Sequence, residues 1–156
     1  WKDYNSIITD PIDLTNVKIS KLLKRGWKNI LSKPSILFNK NKRNIKLHFD
    51  MHHGYGVLDR AISFIKEEDQ TDFKKFINEN TQFNPHIMFI SKKKIIEKWF
   101  NDLFEWLFKC EKEFGFHNLK DYESGRLYAY LAERYLSFWF KKYTTYKVHP
   151  WRFIDV

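Results

Sequence analysis

The chain has 156 residues, 43% of them hydrophobic, with 15 Phe, 8 Tyr and 6 Trp against only 5 Gly and 4 Pro. That composition excludes a disordered chain and, with so few turn formers, a sandwich of many short strands; it fits one domain of α+β type that is predominantly helical. The net charge of +9 is local: ten Lys or Arg and no Asp or Glu lie between Leu14 and Phe49, leaving the remainder near −1.

Tyr4 to Thr9 predicts a short strand closed by the turn signal Asp10-Pro11. Val17, Ile19, Leu22, Leu23, Trp27, Ile30 and Leu31 recur at steps of three and four. They predict one amphipathic helix with a basic opposite face, weakened at Gly26 and ended by Lys33-Pro34. After the charged loop Asn39 to Asn44, Ile45 to Phe49 alternates and predicts a short strand, with His52-His53-Gly54-Tyr55-Gly56 as a loop. A helix is expected from Val57 to about Glu67, and a second, capped by Thr71, with Phe73, Phe76 and Ile77 inward. Phe83 to Ile90 predicts a buried strand. Ser91 should cap the strongest helix, whose stripe runs through Ile95, Ile96, Trp99, Phe100, Leu103, Trp106, Leu107, Cys110 and Phe114 to Gly115. A last helix should span about Glu123 to Lys142, followed by an extended tail from Val148 to Val156.

Cys110 is the only cysteine, so no intrachain disulfide exists, and its apolar neighbours predict a buried, inert thiol compatible with a reducing compartment. No apolar run approaches the ~20 residues of a membrane span. The opening Trp1-Lys2-Asp3-Tyr4 carries neither Met nor a leader and suggests a fragment or a processed chain.

Phosphate loops, cysteine zinc patterns and nucleophile elbows are absent. His48 and His52 have helical metal spacing near Asp50, but the alternating pattern around them argues against a helix there and so against a metal site. There is no Asp-x-Asp; Asp10 and Asp13 are three apart across a proline. Arg126 and Glu133, seven apart, share a helix face that borders Tyr130. A carboxylate there could accept a proton from a sugar hydroxyl, the plain alternative being a structural ion pair. Most aromatics lie at core spacing; Trp151, in the tail beside His149 and Arg152, is placed to cover a site.

Three stretches in order carry a resemblance. They are His53 with Leu58-Asp59 and Ile62 to Ile65; Phe83-Asn84-Pro85-His86-Ile87-Met88-Phe89-Ile90-Ser91-Lys92-Lys93 with Trp106-Leu107-Phe108; and Asp121-Tyr122-Glu123-Ser124, Arg126 and Leu131-Ala132-Glu133-Arg134-Tyr135-Leu136. From about Asp50 to Phe140 the chain resembles a bacterial family of capsular and exopolysaccharide biosynthesis, grouped with the GT-A-like glycosyltransferases. One departure is that His86-Ile87 stands where the family has Asn directly before Met.

The resemblance implies the C-terminal part of a GT-A-like α/β glycosyltransferase with a few short strands. In that division residues 1–13 are a remnant of the nucleotide-sugar half, 14–49 a basic amphipathic segment and loop, and 50–156 a helical acceptor-side region. The missing half would hold the donor and any divalent metal, Mg or Mn, so the chain alone is expected to be inactive. Implied partners are a nucleotide-sugar donor and a polysaccharide or lipid-linked acceptor, with the enzyme cytoplasmic and peripheral on the inner face of the membrane. Implied catalytic residues are Glu133 and His53; His52, Asn84, His86, Arg126 and Trp151 are the substrate-binding candidates. Lys21, Lys24, Arg25, Trp27 and Lys28 are expected to face an anionic membrane surface. The alternatives are a helical module that binds nucleic acid through the basic segment, with Trp27 and Phe38 stacking, and a structural partner-binding domain.

Overall fold

The computed structural model describes residues 3–116 and 125–150. The chain is α+β and mostly helical, with two hydrophobic clusters on either side of one central helix.

Strand β1 (Ser6–Thr9) is the middle of a three-stranded sheet. It pairs antiparallel with β4 (Phe89–Ser91), Ile7 opposite Ile90, and parallel with β5 (Tyr146–His149), Ser6 opposite Tyr146. After Asp10-Pro11, β2 (Ile12–Asp13) pairs with β3 (Gln82–Phe83) in a separate two-stranded ladder. The segment Phe83 to Ile90 is therefore not one buried strand. His86 takes a left-handed backbone angle (φ 63°) between β3 and β4, and Ile87, Met88 and Ile90 lie exposed along an open cleft beside the sheet.

The basic segment forms two short helices, α1 (Ile19–Arg25) and α2 (Trp27–Ser32), rather than one. Gly26 sits between them with its N–H on the Leu22 carbonyl, so close that a Cβ would lie 2.9 Å from that oxygen. Leu22 and Ile30 turn inward on Ile36, Leu47 and Met51 to make the smaller cluster. The buried Arg43 closes it: Nη1 donates to the Thr15 and Val17 carbonyls (2.8 and 3.1 Å), and Nη2 and Nε reach those of Leu37 and Ile36. One of the ten cations of the segment is thus a structural staple.

Ile45–His53 is a helix, α3, where alternation predicted a strand and a histidine loop. Asn44 caps it by accepting the Leu47 N–H at 2.9 Å. The alternation has a physical source: Leu47 and Met51 enter the smaller cluster, while Ile45 and Phe49 enter the main one. Asp50 is buried on the same helix and holds the turn that follows. It accepts from Asn29 Nδ2 (2.7 Å), from Lys46 Nζ and from the Gly56 N–H. Gly54 (φ 105°) and Gly56 (φ 78°) supply the backbone angles of that turn, as the sequence suggested.

α4 (Val57–Ile62) is shorter than expected, and α5 (Glu67–Glu79) starts four residues before Thr71, its first turn carrying Glu67, Glu68 and Asp69 where acidic groups suit the helix dipole. α6 (Lys93–Phe114) has Lys92, not Ser91, at its N-terminal boundary, and ends at Gly115 with φ 63°. Its Trp99, Leu103, Trp106 and Cys110 are buried, whereas Phe100, Phe104 and Phe108 form an exposed ladder of stacked rings. α7 (Leu127–Tyr143) crosses α6 and α5 through Tyr135, Phe138, Trp139 and Phe140. Two of the three buried indoles in this core are paired: Trp106 Nε1–H donates to the Ala61 carbonyl and Trp139 Nε1–H to Asp102 at 2.6 Å, whereas Trp99 Nε1–H has no partner among the described residues.

Candidate functional site

Where α3 meets α7, polar groups gather that neither packing nor capping requires. The last turn of α3 presents His52 and His53, with His48 one turn back; α7 presents Arg126 at its N-terminal boundary, then Tyr130, Glu133 and Arg134.

His53 stacks on Tyr130 with ring centroids 3.8 Å apart and planes 20° from parallel, and meets Phe49 edge-on. The Arg126 guanidinium lies 5.3 Å from the same Tyr130 ring. Glu133, three residues on, accepts from Arg134 Nη1 at 2.9 Å. Two expected site residues, His53 and Arg126, therefore meet at Tyr130, and Glu133 follows one turn on along α7. Arg126 stands at the N-terminal boundary of α7 rather than within it, so the expected shared helix face is not formed, and Glu133 pairs with its neighbour Arg134.

Arg134 is buried outright, its guanidinium carbon 3.8 Å from the Phe83 ring centre. Its Nη2 sits 3.1 Å from His48 Nδ1. A guanidinium only donates, so His48 Nδ1 is the acceptor and its proton resides on Nε2. Burial, with the Arg134 charge next, drives the His48 pKa down to about 2. The same causes lower His53 to about 3, and burial pulls Arg134 down to about 10 against the opposing pull of Glu133. His53 Nδ1 and Arg134 Nε are buried with no hydrogen-bond partner among the described residues. The cluster thus pairs uncharged imidazoles with a charged guanidinium and leaves two buried polar atoms unsatisfied among the described residues.

His48 and His52 do lie one helical turn apart, rings 4.9 Å from each other, which corrects the reason given for discounting a metal there. Each Nδ1 instead faces an arginine, Arg134 for His48 and Arg25 (3.0 Å) for His52. Among the described residues no three His, Cys, Asp or Glu side chains converge in a metal-holding group. His52 also opens onto a basic depression of about 580 Å³ lined by Ser20, Lys21, Lys24 and Arg25.

Asn84 lies behind this site. Its Nδ2 donates to the Thr9 carbonyl and its N–H to Ser137 Oγ, so it ties β1 to α7. His86 is half-buried on the strained link to β4. Lys21, Lys24, Arg25, Trp27 and Lys28 are exposed on α1 and α2. Trp151 and the stretch Asp121 to Ser124 lie outside the described residues.

A family model described as a domain of unknown function, DUF4422, matches residues 6–144. The chain belongs to this family. No curated protein and no solved structure matches it. The DUF4422 match takes in every site residue discussed above except Trp151. Sequence reasoning found the ends of the DUF4422 cluster, His53, Arg126 and Glu133, but not its middle. Arg134 was legible only as part of a Leu-Ala-Glu-Arg run, and its burial could be suspected because Leu131, Tyr135 and Phe138 flank it at helical spacing.

Proposed function

We propose that the chain is the acceptor-side part of a glycosyltransferase that moves a sugar from a nucleotide-sugar to a polysaccharide or lipid-linked hydroxyl. The observation that supports it is the meeting of His53 and Arg126 at Tyr130, with Glu133 one turn on along the same helix as Tyr130. In this reading the Glu133 carboxylate takes the proton of the acceptor hydroxyl. The hydroxyl oxygen bonds to the anomeric carbon as the bond from that carbon to the phosphate oxygen breaks. The leaving nucleoside diphosphate gathers negative charge, which Arg126 is placed to offset, while His53 hydrogen-bonds to the diphosphate or the acceptor. The likeness to capsular and exopolysaccharide enzymes agrees with this chemistry; any Mg or Mn requirement belongs to the donor side of the reaction.

The test uses the protein at the length its gene encodes, a panel of nucleotide-sugars, and nucleotide release as readout. Glu133→Gln should lower kcat about 100-fold or more with KM little changed. Because Glu133 also compensates the buried Arg134, the folded fraction is measured by circular dichroism in the same buffer. Near-normal kcat in folded Glu133→Gln, or no turnover of any nucleotide-sugar by the wild type, refutes the assignment.

A further inference from the structure

The basic segment has two apolar faces, and the structure uses one. Leu22 and Ile30 pack inward. Ile19 (55% exposed) and Leu23 (54%), one turn apart on α1, and Trp27 (52%) and Leu31 (73%), one turn apart on α2, remain open to solvent. Phe38, at 88%, extends the row beyond the 3₁₀ turn Pro34–Ile36. A helix that serves only its own core needs a single stripe; the second is surplus to folding.

Of the charges around that row, some are committed to the fold, and Lys28 lies 5.6 Å from the Trp27 ring. Arg43 is committed to four carbonyls, Lys46 to Asp50 and Asp59, and Arg25 faces His52. Lys18 just before α1 and Lys21, Lys24 and Lys28 on the two helices stand exposed, and no acidic residue lies between Leu14 and Phe49 to answer them. The depression bounded by Lys21, Lys24 and Arg25 is open and large enough for a phosphodiester headgroup.

We propose that α1 and α2 dock on an anionic phospholipid bilayer, with Ile19, Leu23, Trp27 and Leu31 entering the headgroup boundary and the lysines reaching lipid phosphates beside them. Charge complementarity selects this occupant: long lysine stems cover apolar surface while their ammonium groups stay at the polar level, and cations beside a buried apolar row are the pattern of a helix lying in an interface. Single-stranded nucleic acid would satisfy the lysines and stack on Trp27 and Phe38, but it gives the aliphatic Ile19, Leu23 and Leu31 nothing to enter. The docking stands apart from the transfer chemistry, since none of these residues touches Glu133, His53 or Tyr130 in any contact described above.

Co-sedimentation tests it, using vesicles of phosphatidylglycerol and phosphatidylcholine in equal parts against phosphatidylcholine alone, at low and high salt. The wild-type chain should partition onto the mixed vesicles, leave them as salt rises, and ignore the neutral ones. Changing Lys21, Lys24 and Lys28 together to Gln should weaken partition about a hundredfold, on the order of fivefold for each charge. Leu23→Ser or Leu31→Ser should weaken it on the order of tenfold. Circular dichroism melts should stay unchanged, because these side chains are exposed. Absence of binding to mixed vesicles at low salt overturns the proposal, as does equal binding to neutral vesicles or a wild-type response from folded variants. Salt-sensitive binding to a single-stranded oligonucleotide without vesicle binding overturns it in favour of nucleic acid. A dimer in sedimentation equilibrium that Leu23→Ser abolishes, again without vesicle binding, overturns it in favour of a second copy.

Discussion

Acidification should destabilise this protein through His48 before it touches most carboxylates. Four groups set the His48 environment: Arg134 on α7, His52 and His53 on its own helix, and Lys21 on α1, on top of burial itself. Its Nδ1 already accepts from Arg134, so a second proton would place two cations about 3 Å apart inside the protein. Folded, it resists protonation to about pH 2; unfolded, it protonates near its ordinary 6.5. Below 6.5 the unfolded chain thus binds the extra proton. Stability from this group is full above that pH and is lost as pH falls toward about 2, at a limiting slope of about 1.4 kcal/mol per pH unit. Between about pH 7 and about pH 5 the loss integrates to about 2 kcal/mol, or about 4–8 °C in Tm for a chain of this size. His53 acts in the same direction, by less, because water reaches part of its ring. Urea denaturation of the wild type and of His48→Gln at several pH values isolates the effect. Gln keeps an acceptor for Arg134 but cannot titrate, so its stability should fall less steeply by about that amount. Equal slopes in the two proteins would refute the argument.

Two further outcomes follow from the packing. Arg43→Leu leaves up to four buried carbonyls without their donor and should cost about 2–4 kcal/mol in urea denaturation, with amide exchange quickened first in α1 and α2; a cost under about 0.5 kcal/mol would show that water replaces the guanidinium freely. The Cys110 thiol, wholly buried and pushed up to about 12 by that burial, should react with a disulfide reagent at about pH 8 only as fast as the protein opens, and release of one thiolate equivalent within seconds from the native state would contradict it.

Legibility followed how many surfaces an element serves. α6 faces one core, so its stripe through Trp99, Leu103, Trp106 and Cys110 was plain in the sequence; its N-terminal boundary slipped by one residue, and Phe100, expected in the stripe, lies exposed. α3 serves two clusters on opposite sides, and Ile45, Leu47, Phe49 and Met51 therefore alternate as a strand would. The overlooked signal was Asn44, a capping residue just before the apolar run. The same error hid half of the candidate site, since His48 and His53 acquire their neighbours only if that stretch is helical. At Phe83 to Ile90, hydrophobicity was mistaken for burial: Pro85 and the left-handed His86 break the strand and leave three of its apolar side chains outside. The split at Gly26 needed a distance, 2.9 Å to the Leu22 oxygen, that no periodicity contains.

The three-stranded sheet also sets an order of events during synthesis. β1 precedes its parallel partner β5 by 140 residues, and even β4 is 85 residues away. At ribosomal rates the interval to β5 is on the order of ten seconds. Until β4 arrives Ile7 and Ile8 belong to a strand with both backbone edges bare, and one edge stays bare until β5, while the local helices α3 to α6 can already assemble. The sheet is thus the clasp fastened last, and its slow closure makes the nascent chain's greatest exposure to chaperones a property of its topology rather than of its core.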